Sequence, residues 1–284
     1  MVAVSGGVDS MVLLDILAQM AGDEGFELAL VVAHFDHGIR EDSAEDRRLV
    51  AQAARRYGLP YIYDEGLLGR AASEAQAREA RYVFLRRVKA AQGADAIMTA
   101  HHQDDVLETA IINMIRGTGS RGLSSLRSAG EVIRPLLGLT KRELHDYAVA
   151  HNLAWREDST NQDERYLRNY IRRQLLPRLP ANHRVALLSA TQLAARLNDE
   201  IEQLLIPHIA GAQLDRRWFV HLPHAVATET MAAWLRCHGA FFDRKGVERL
   251  VVFAKTGLPG KRANVDSAHH VVASKEHISI VASL

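Results

Sequence analysis

Six consecutive residues, Ser5-Gly6-Gly7-Val8-Asp9-Ser10, put two glycines, two hydroxyls and a carboxylate into one short turn. Successive backbone N–H groups in such a turn, ahead of a helix N-terminus, make a seat for an anionic phosphate. Gly6 and Gly7 admit conformations and close approaches that a Cβ blocks. Ser5 and Ser10 add hydroxyl donors, and Asp9 can serve a metal ion or a reacting group. The turn lacks the Gly-Lys-Ser/Thr ending of a Walker A loop and is not Gly-x-Gly-x-x-Gly. A bare Gly-Gly between a strand and a helix is commonplace, whereas the full pattern after an N-terminal strand is much more specific.

Two further stretches carry reactive side chains. In His101-His102-Gln103-Asp104-Asp105-x-x-Glu108-Thr109, the carboxylates of Asp105 and Glu108 stand three residues apart, on one face of a helix. Acids in a first helical turn also serve simply as partners of the helix dipole. The doubled histidine beside them, at a strand end facing Gly6 and Gly7, tilts the reading toward chemistry. No third ligand cluster completes a zinc-type site. In the second stretch, Asp158-Ser159-Thr160-Asn161 and then Tyr166-Leu167-Arg168-Asn169-Tyr170-Ile171-Arg172-Arg173 mix Arg with Tyr and Asn. Arginines pair phosphates while aromatics stack on unpaired bases, as in RNA recognition; a solvated helix face with charge pairs is an equal reading. Between these stretches, Arg78 and Glu79 read as solvated charges, while Arg81 offers a guanidinium to an anion. His34, His37, His145, His269 and His270 read as satisfied surface or core residues.

These groups need elements to position them. Val2-Ala3-Val4 is a short strand, and Leu13, Ile16, Leu17 and Met20 keep the spacing of one helix face. Leu28 to Ala33 is a continuous apolar run, as in a strand buried on both faces, and Leu59 to Tyr63 is a third strand. A helix opens at Ser43, another runs from Glu74 to Gln92 behind Ser73, and a third from about Asp104 to Arg116. Ala96 to Ala100 and Val132 to Pro135 supply two more strands. Thr140 and Glu143 form a capping box for a helix ending near His151. This alternation specifies an α/β fold with a mainly parallel sheet and helices on both faces, its ligands beyond the carboxyl ends of the strands. Past Leu179-Pro180-Ala181-Asn182 the pattern changes to a long amphipathic helix, two further helices at 228–238 and 243–255, and a tail alternating like short strands.

Composition sets outer limits. The 284 residues are 48% hydrophobic and 24% charged, enough for a real core in one large domain or two. A net charge of +1 speaks neither for nor against nucleic acid. No apolar run approaches a membrane span, and the N-terminus has no secretory pattern, so a cytoplasmic protein without membrane association is expected. The lone Cys237 excludes an intramolecular disulfide framework and any Cys-x-x-Cys metal site.

The six-residue turn resembles the PP-loop of the ATP pyrophosphatases, which cleave ATP between its α and β phosphates. Further motifs occur in one order: His34-Phe35-Asp36-His37-Gly38-Ile39-Arg40, Glu79-Ala80-Arg81-Tyr82, Thr99 to Asp105 with Glu108-Thr109, Arg116-Gly117-x-Gly119-x-x-Gly122-Leu123, Arg134-Pro135-Leu136-Leu137, and Asp158 to Asn161 with Arg168-Asn169-x-Ile171-Arg172. Over about the first 178 residues, the set resembles the tRNA(Ile)-lysidine synthetases. That resemblance implies a PP-loop ATP-binding catalytic domain over 1–180, of the adenine nucleotide alpha hydrolase-like type. A mostly helical, tRNA-contacting domain with a short β tail follows over 181–284.

It further implies a ligase, dependent on ATP and Mg²⁺, that acts on the wobble cytidine of the isoleucine tRNA with a CAU anticodon. The base is adenylated at carbon 2, and free L-lysine then displaces AMP to give lysidine; a homodimer is among the assemblies allowed. In this scheme Ser5, Gly6, Gly7, Val8, Asp9 and Ser10 hold ATP, with Asp9 placing Mg²⁺ or the α-phosphate. Arg81 and His101 neutralise charge, Asp105 and Glu108 take lysine's ammonium, and Arg168, Asn169 and Arg172 hold the anticodon region. The resemblance departs at Ser124-Ser125-Leu126, where the family continues toward Gly-Met, and in the nearly absent leading segment. A PP-loop tRNA thiolase is disfavoured by the lack of paired cysteines. A non-catalytic nucleotide- and RNA-binding module is disfavoured by intact Asp9, His101, Asp105 and Glu108.

Overall fold

The computed structural model describes residues 1–284 except 24, 26, 39–42, 67, 68, 70–72, 158–166, 283 and 284. The chain divides into two compact units, Met1–Ala195 and Arg196–Leu284.

In the first unit, β1 (Val2–Ala3), α1 (Val8–Gly22), β2 (Val32–Asp36), α2 (Ser43–Arg56), β3 (Tyr61–Glu65), α3 (Glu74–Ala91), β4 (Ile97–Met98), α4 (Gln103–Ile115), α5 (Ser120–Leu123), β5 (Val132–Ile133) and α6 (Lys141–Ala150) alternate along the chain. Among the described residues the strands form one parallel sheet, ordered β3-β2-β1-β4-β5. A parallel sheet must be covered on both faces. One face packs Val2, Val4 and Val32 against Leu13, Leu14 and Leu17 of α1, Val50 of α2 and Leu144 of α6. The other packs Ala33, Ile97 and Val132 against Phe84, Leu85 and Val88 of α3. Beyond α6 come α7 (Leu167–Tyr170), a π-helical turn at Ile171–Leu175 and a 3₁₀ turn at Leu176–Arg178. There Ile171 and Leu176 close a smaller core with Leu107, Ile111 and Ile112 of α4.

The sheet differs from the sequence expectation at β2. The strand lies over Val32–Asp36 rather than over the apolar run 28–33. Its register against β3 runs on through His34↔Tyr63 and Asp36↔Glu65, so His34, Phe35 and Asp36 belong to the strand itself. Pairing with a neighbour, not local hydrophobicity, set the boundary. Local chemistry did fix two helix starts: Ser73 with Gln76 and Thr140 with Glu143 both form reciprocal capping boxes.

The long helix α8 (Ala181–Ile209) contains the division between the units. The second unit continues with β6 (Gln213–Asp215), α9 (Arg216–His221), α10 (His224–Cys237), α11 (Arg244–Thr256), β7 (Arg262–Asn264), β8 (His269–Ala273) and β9 (His277–Ala282). Its strands pair in an antiparallel sheet ordered β6-β9-β8-β7, a larger element than the short tail expected. Trp234 is fully buried, with its indole N–H donated to Gly211 O at 2.9 Å. The guanidinium of Arg216 donates to the carbonyls of Ala254, Ser274 and Gly257. No described helix is long and apolar enough to cross a membrane.

Candidate active site

The phosphate loop is tied from within by one hydroxyl. Ser10 Oγ accepts the amides of Ser5 and Gly6, at 3.1 and 3.2 Å, and donates to Gly7 O at 2.9 Å. Gly6 has φ +97°, a conformation that favours glycine, and a Cβ there would come 3.3 Å from Cβ of Asp46, close enough that Asp46 would have to give by a few tenths of an ångström. Asp46 is buried in the first turn of α2 and pairs with Arg156, Nε to Oδ1 at 2.9 Å. Arg156 also pairs with Glu45, and its own amide donates to Gly6 O at 3.0 Å. A distant segment thus braces the loop.

Beside the loop lies a cleft of about 370 Å³ at the carboxyl end of the sheet. Ser5, Gly7, Asp9 and Ser10 form one wall, Arg81, Thr99 and His101 contribute another, and Ala33, Phe35 and Leu85 supply an apolar side. Val8 opens α1 just behind the loop and does not line the cleft. Asp9 points its Oδ1 into a buried position with no partner among the described residues. Its Oδ2 lies 3.6 Å from His102 Nε2, which lies 3.5 Å from Asp105 Oδ2. His102 also caps α4: its Nδ1 accepts the amide of Asp104 at 3.2 Å, while its amide donates to Asp105 at 2.9 Å. With Nδ1 accepting, the ring hydrogen sits on Nε2, between the two carboxylates. Burial alone would lower the pKa of His102, but Asp9, Asp105 and Asp104 outweigh it and hold the value above the ordinary one.

His101 behaves oppositely. Burial, helped by Arg134, Arg81 and Arg78, drives its pKa from 6.5 down to about 4 against the pull of Asp105. The ring is therefore neutral at pH 7 and acts through hydrogen bonds, one of them with Thr99 Oγ1 at 2.9 Å. The unfolded chain takes up this proton first, so stability is full above pH 6.5 and falls as pH drops toward 4. A displacement from 6.5 to about 4 is worth on the order of 3 kcal/mol. His101→Asn is expected to flatten the pH dependence of urea unfolding in that window by about one proton; an unchanged slope would contradict the assignment.

The acidic face of α4 is met by arginines. Glu108 is wholly buried, and Arg172 donates to it twice, Nε to Oε1 at 2.6 Å and Nη2 to Oε2 at 2.9 Å. Nη2 also reaches Asp105 Oδ1 at 3.4 Å. Arg168 lies 3.6 Å from Glu108 and donates to Thr109 Oγ1 at 3.3 Å, and Arg184 donates to Asp104 at 3.3 Å. Burial pushes the Glu108 carboxyl above its usual range despite the guanidinium beside it. Two sets of residues assigned to different ligands by the sequence, Asp105 with Glu108 and Arg168 with Arg172, therefore form one cluster. Asn169 lies in α7 beside them. The stretch Asp158 to Tyr166 and the pair Ile39-Arg40 lie outside the described residues.

Three side chains that hold this site are given no role of their own by the sequence: His102, Asp46 and Arg156. The doubled histidine did signal the first. Nothing local marks Asp46 or Arg156, because their role comes from packing against a loop 40 to 150 residues away in the chain.

Comparison with known proteins agrees with this geometry. Residues 1–179 match the family model described as PP-loop domain. The chain is 41% identical over 216 residues to the tRNA(Ile)-lysidine synthase of Exiguobacterium sibiricum, covering 74% of this chain and 50% of that one. It is 40% identical over 277 residues to the enzyme of the same name from Thermus thermophilus, covering 91% and 52%. The chain thus spans about half the length of the curated relatives it matches. Among solved structures, the U34-tRNA thiolase NcsA from Methanococcus maripaludis with its [4Fe-4S] cluster superposes with a TM-score of 0.57 at 19% identity, over 69% of this chain and 71% of that one, a likeness of fold. With its glycine turn at the end of the central strand and the family model matched through residue 179, the chain belongs to the PP-loop domain family, whose fold binds ATP.

Proposed function

We propose that this protein ligates free lysine to carbon 2 of the wobble cytidine of the CAU-anticodon isoleucine tRNA, using ATP. The observation that carries the reading is the run Asp9–His102–Asp105, which joins the phosphate loop to the acidic face of α4 across one imidazole. The names and identity of the two curated relatives support the same reading.

ATP binds with its phosphates on the Ser5–Ser10 loop and its base along the apolar side of the cleft. The unpartnered Oδ1 of Asp9 is a hard oxygen suited to Mg²⁺, which takes one or two carboxylates together with substrate phosphates. When bound, that ion supplies charge neutralisation on the phosphates. The cytidine leaves its stack to reach the cleft. Its 2-oxygen attacks the α-phosphorus and pyrophosphate leaves, while Arg81 offsets the charge that develops and neutral His101 donates or accepts a hydrogen bond. Lysine's ammonium then takes over the Asp105 and Glu108 carboxylates from Arg172, loses a proton to one of them, and the free amine attacks carbon 2. AMP departs with the former 2-oxygen. Arg168 and Arg172 pair with phosphates of the anticodon region, and the second unit contacts more of the tRNA.

A thiolase reading lacks its chemistry: an iron–sulfur cluster is held by several cysteine thiolates, and this chain has Cys237 alone. The test is incorporation of labelled lysine into CAU-anticodon isoleucine tRNA with ATP and Mg²⁺. Label is expected in the tRNA and absent without ATP; an unlabelled tRNA with folded protein rejects the proposal.

A further inference from the structure

By its sequence context His34 reads as a satisfied residue, and among the described residues the structure satisfies only half of it. The side chain lies on β2, beside the start of the phosphate loop, and lines the same cleft. It is 3% exposed, and Nδ1 lies 2.8 Å from the carbonyl oxygen of Val4. A carbonyl only accepts, so Nδ1 carries the hydrogen and the ring is fixed in one tautomer. Burial lowers the pKa of the ring, against weaker pulls from the hydrogen bond to Val4 and from Asp36 and Asp46, with Arg47 acting in the same sense as burial, which leaves it neutral. Nε2 is then a lone-pair acceptor, and no described residue donates to it. A buried acceptor without a donor is unfavourable enough that native proteins rarely leave one unserved.

The geometry points to His34 Nε2 as a hydrogen-bond acceptor for the nucleoside half of ATP. It would receive a donor hydrogen from the adenine 6-amine or from a ribose hydroxyl. This inference rests on the ATP site proposed above and adds a selecting residue to it. The loop grips phosphates that every nucleoside triphosphate shares, and Ala33, Phe35 and Leu85 offer only an apolar surface. Neither tells adenine from hypoxanthine. A fixed lone pair does, since hypoxanthine presents a carbonyl oxygen where adenine presents an amine, and two acceptors repel. A 2′- or 3′-deoxyribose would likewise withdraw a hydroxyl donor.

Calorimetric titration of the full chain with ATP, ITP, 2′-deoxy-ATP and 3′-deoxy-ATP, with Mg²⁺ and without tRNA, tests this. The wild-type protein is expected to prefer ATP by at least ~10-fold over one of the three analogues, because an unpaired buried polar group is what discriminates best. The analogue that loses affinity names the donor: ITP the amine, a deoxy analogue the hydroxyl. His34→Phe is expected to shrink that preference to within about twofold, and His34→Gln, which keeps an acceptor, to restore part of it. As a readout independent of either variant's folding, the imidazole ¹⁵Nε2 resonance of His34 should shift on adding ATP and not on adding the disfavoured analogue. Equal affinity for all four nucleotides, or a preference unchanged in folded His34→Phe, overturns the proposal and leaves Nε2 to a buried water. A wild-type protein that binds none of the four nucleotides overturns the ATP site itself. ATP binding without discrimination overturns only the role of His34.

Discussion

Asp9→Asn is expected to lower ATP-dependent release of pyrophosphate by roughly 10³-fold, about 4 kcal/mol of barrier at 1.36 kcal/mol per decade. The amide has the shape of the carboxylate but lacks the charge that holds a divalent cation against a phosphate. The fold has little stake in this side chain. Oδ1 has no described partner, the side chain is 29% exposed, and the loop is tied by Ser10 rather than by Asp9. The urea-unfolding free energy should therefore stay within ~0.5 kcal/mol of wild type. Loss of the charge also removes one of the groups that raise His102, so its pKa should fall, as histidine NMR titration would show. A pyrophosphate release rate within about tenfold of wild type would remove Asp9 from the chemistry.

Glu108→Ala should separate the two half-reactions. Lysine transfer is expected to fall by about 10²–10⁴-fold, the range for losing a positioned proton acceptor. Formation of adenylated tRNA, followed with ATP labelled at the α-phosphate, should fall far less. Stability also changes: removing one partner of a buried ion pair costs about 3–5 kcal/mol, because Arg172 loses both of its short donations to the buried carboxylate. Glu108→Gln controls for that, since its amide oxygen still accepts from the guanidinium while carrying no charge for an ammonium. If both variants lose the two steps equally, Glu108 supports the whole site through Arg172 and does not select lysine.

The sequence is legible here wherever the physics is local. The phosphate turn, the helix start at Ser73 and the Thr140 capping box each depend on residues within a few positions of one another. Legibility fails where partners are remote. The Glu108–Arg172 pair joins residues 64 positions apart, so the sequence assigned its two halves to different ligands. The start of α4, expected at about Asp104, falls at Gln103, although a histidine rather than Ser, Thr, Asp or Asn provides the cap. His34 shows the finest grain of the problem: one ring nitrogen is satisfied by the carbonyl of Val4, just past β1, the other has no donor among the described residues, and no spacing rule resolves two atoms of one side chain. In the second unit, β6 has only three residues and one buried side chain, Leu214, too little for a periodicity.

The amide of Arg156 on the carbonyl of Gly6 also has a consequence in time. During translation at roughly 5–20 residues per second, the loop emerges on the order of 10–30 s before the residue that closes over it. Its strand waits as well, for a shorter time, because β1 pairs with β4 on one side. The nascent nucleotide site thus stays open and incompletely braced until nearly the whole first unit has left the ribosome. Translational pausing shortly before residue 156 would prolong that interval, and nucleotide binding by ribosome-bound chains of increasing length would show it as an abrupt gain once Arg156 is exposed.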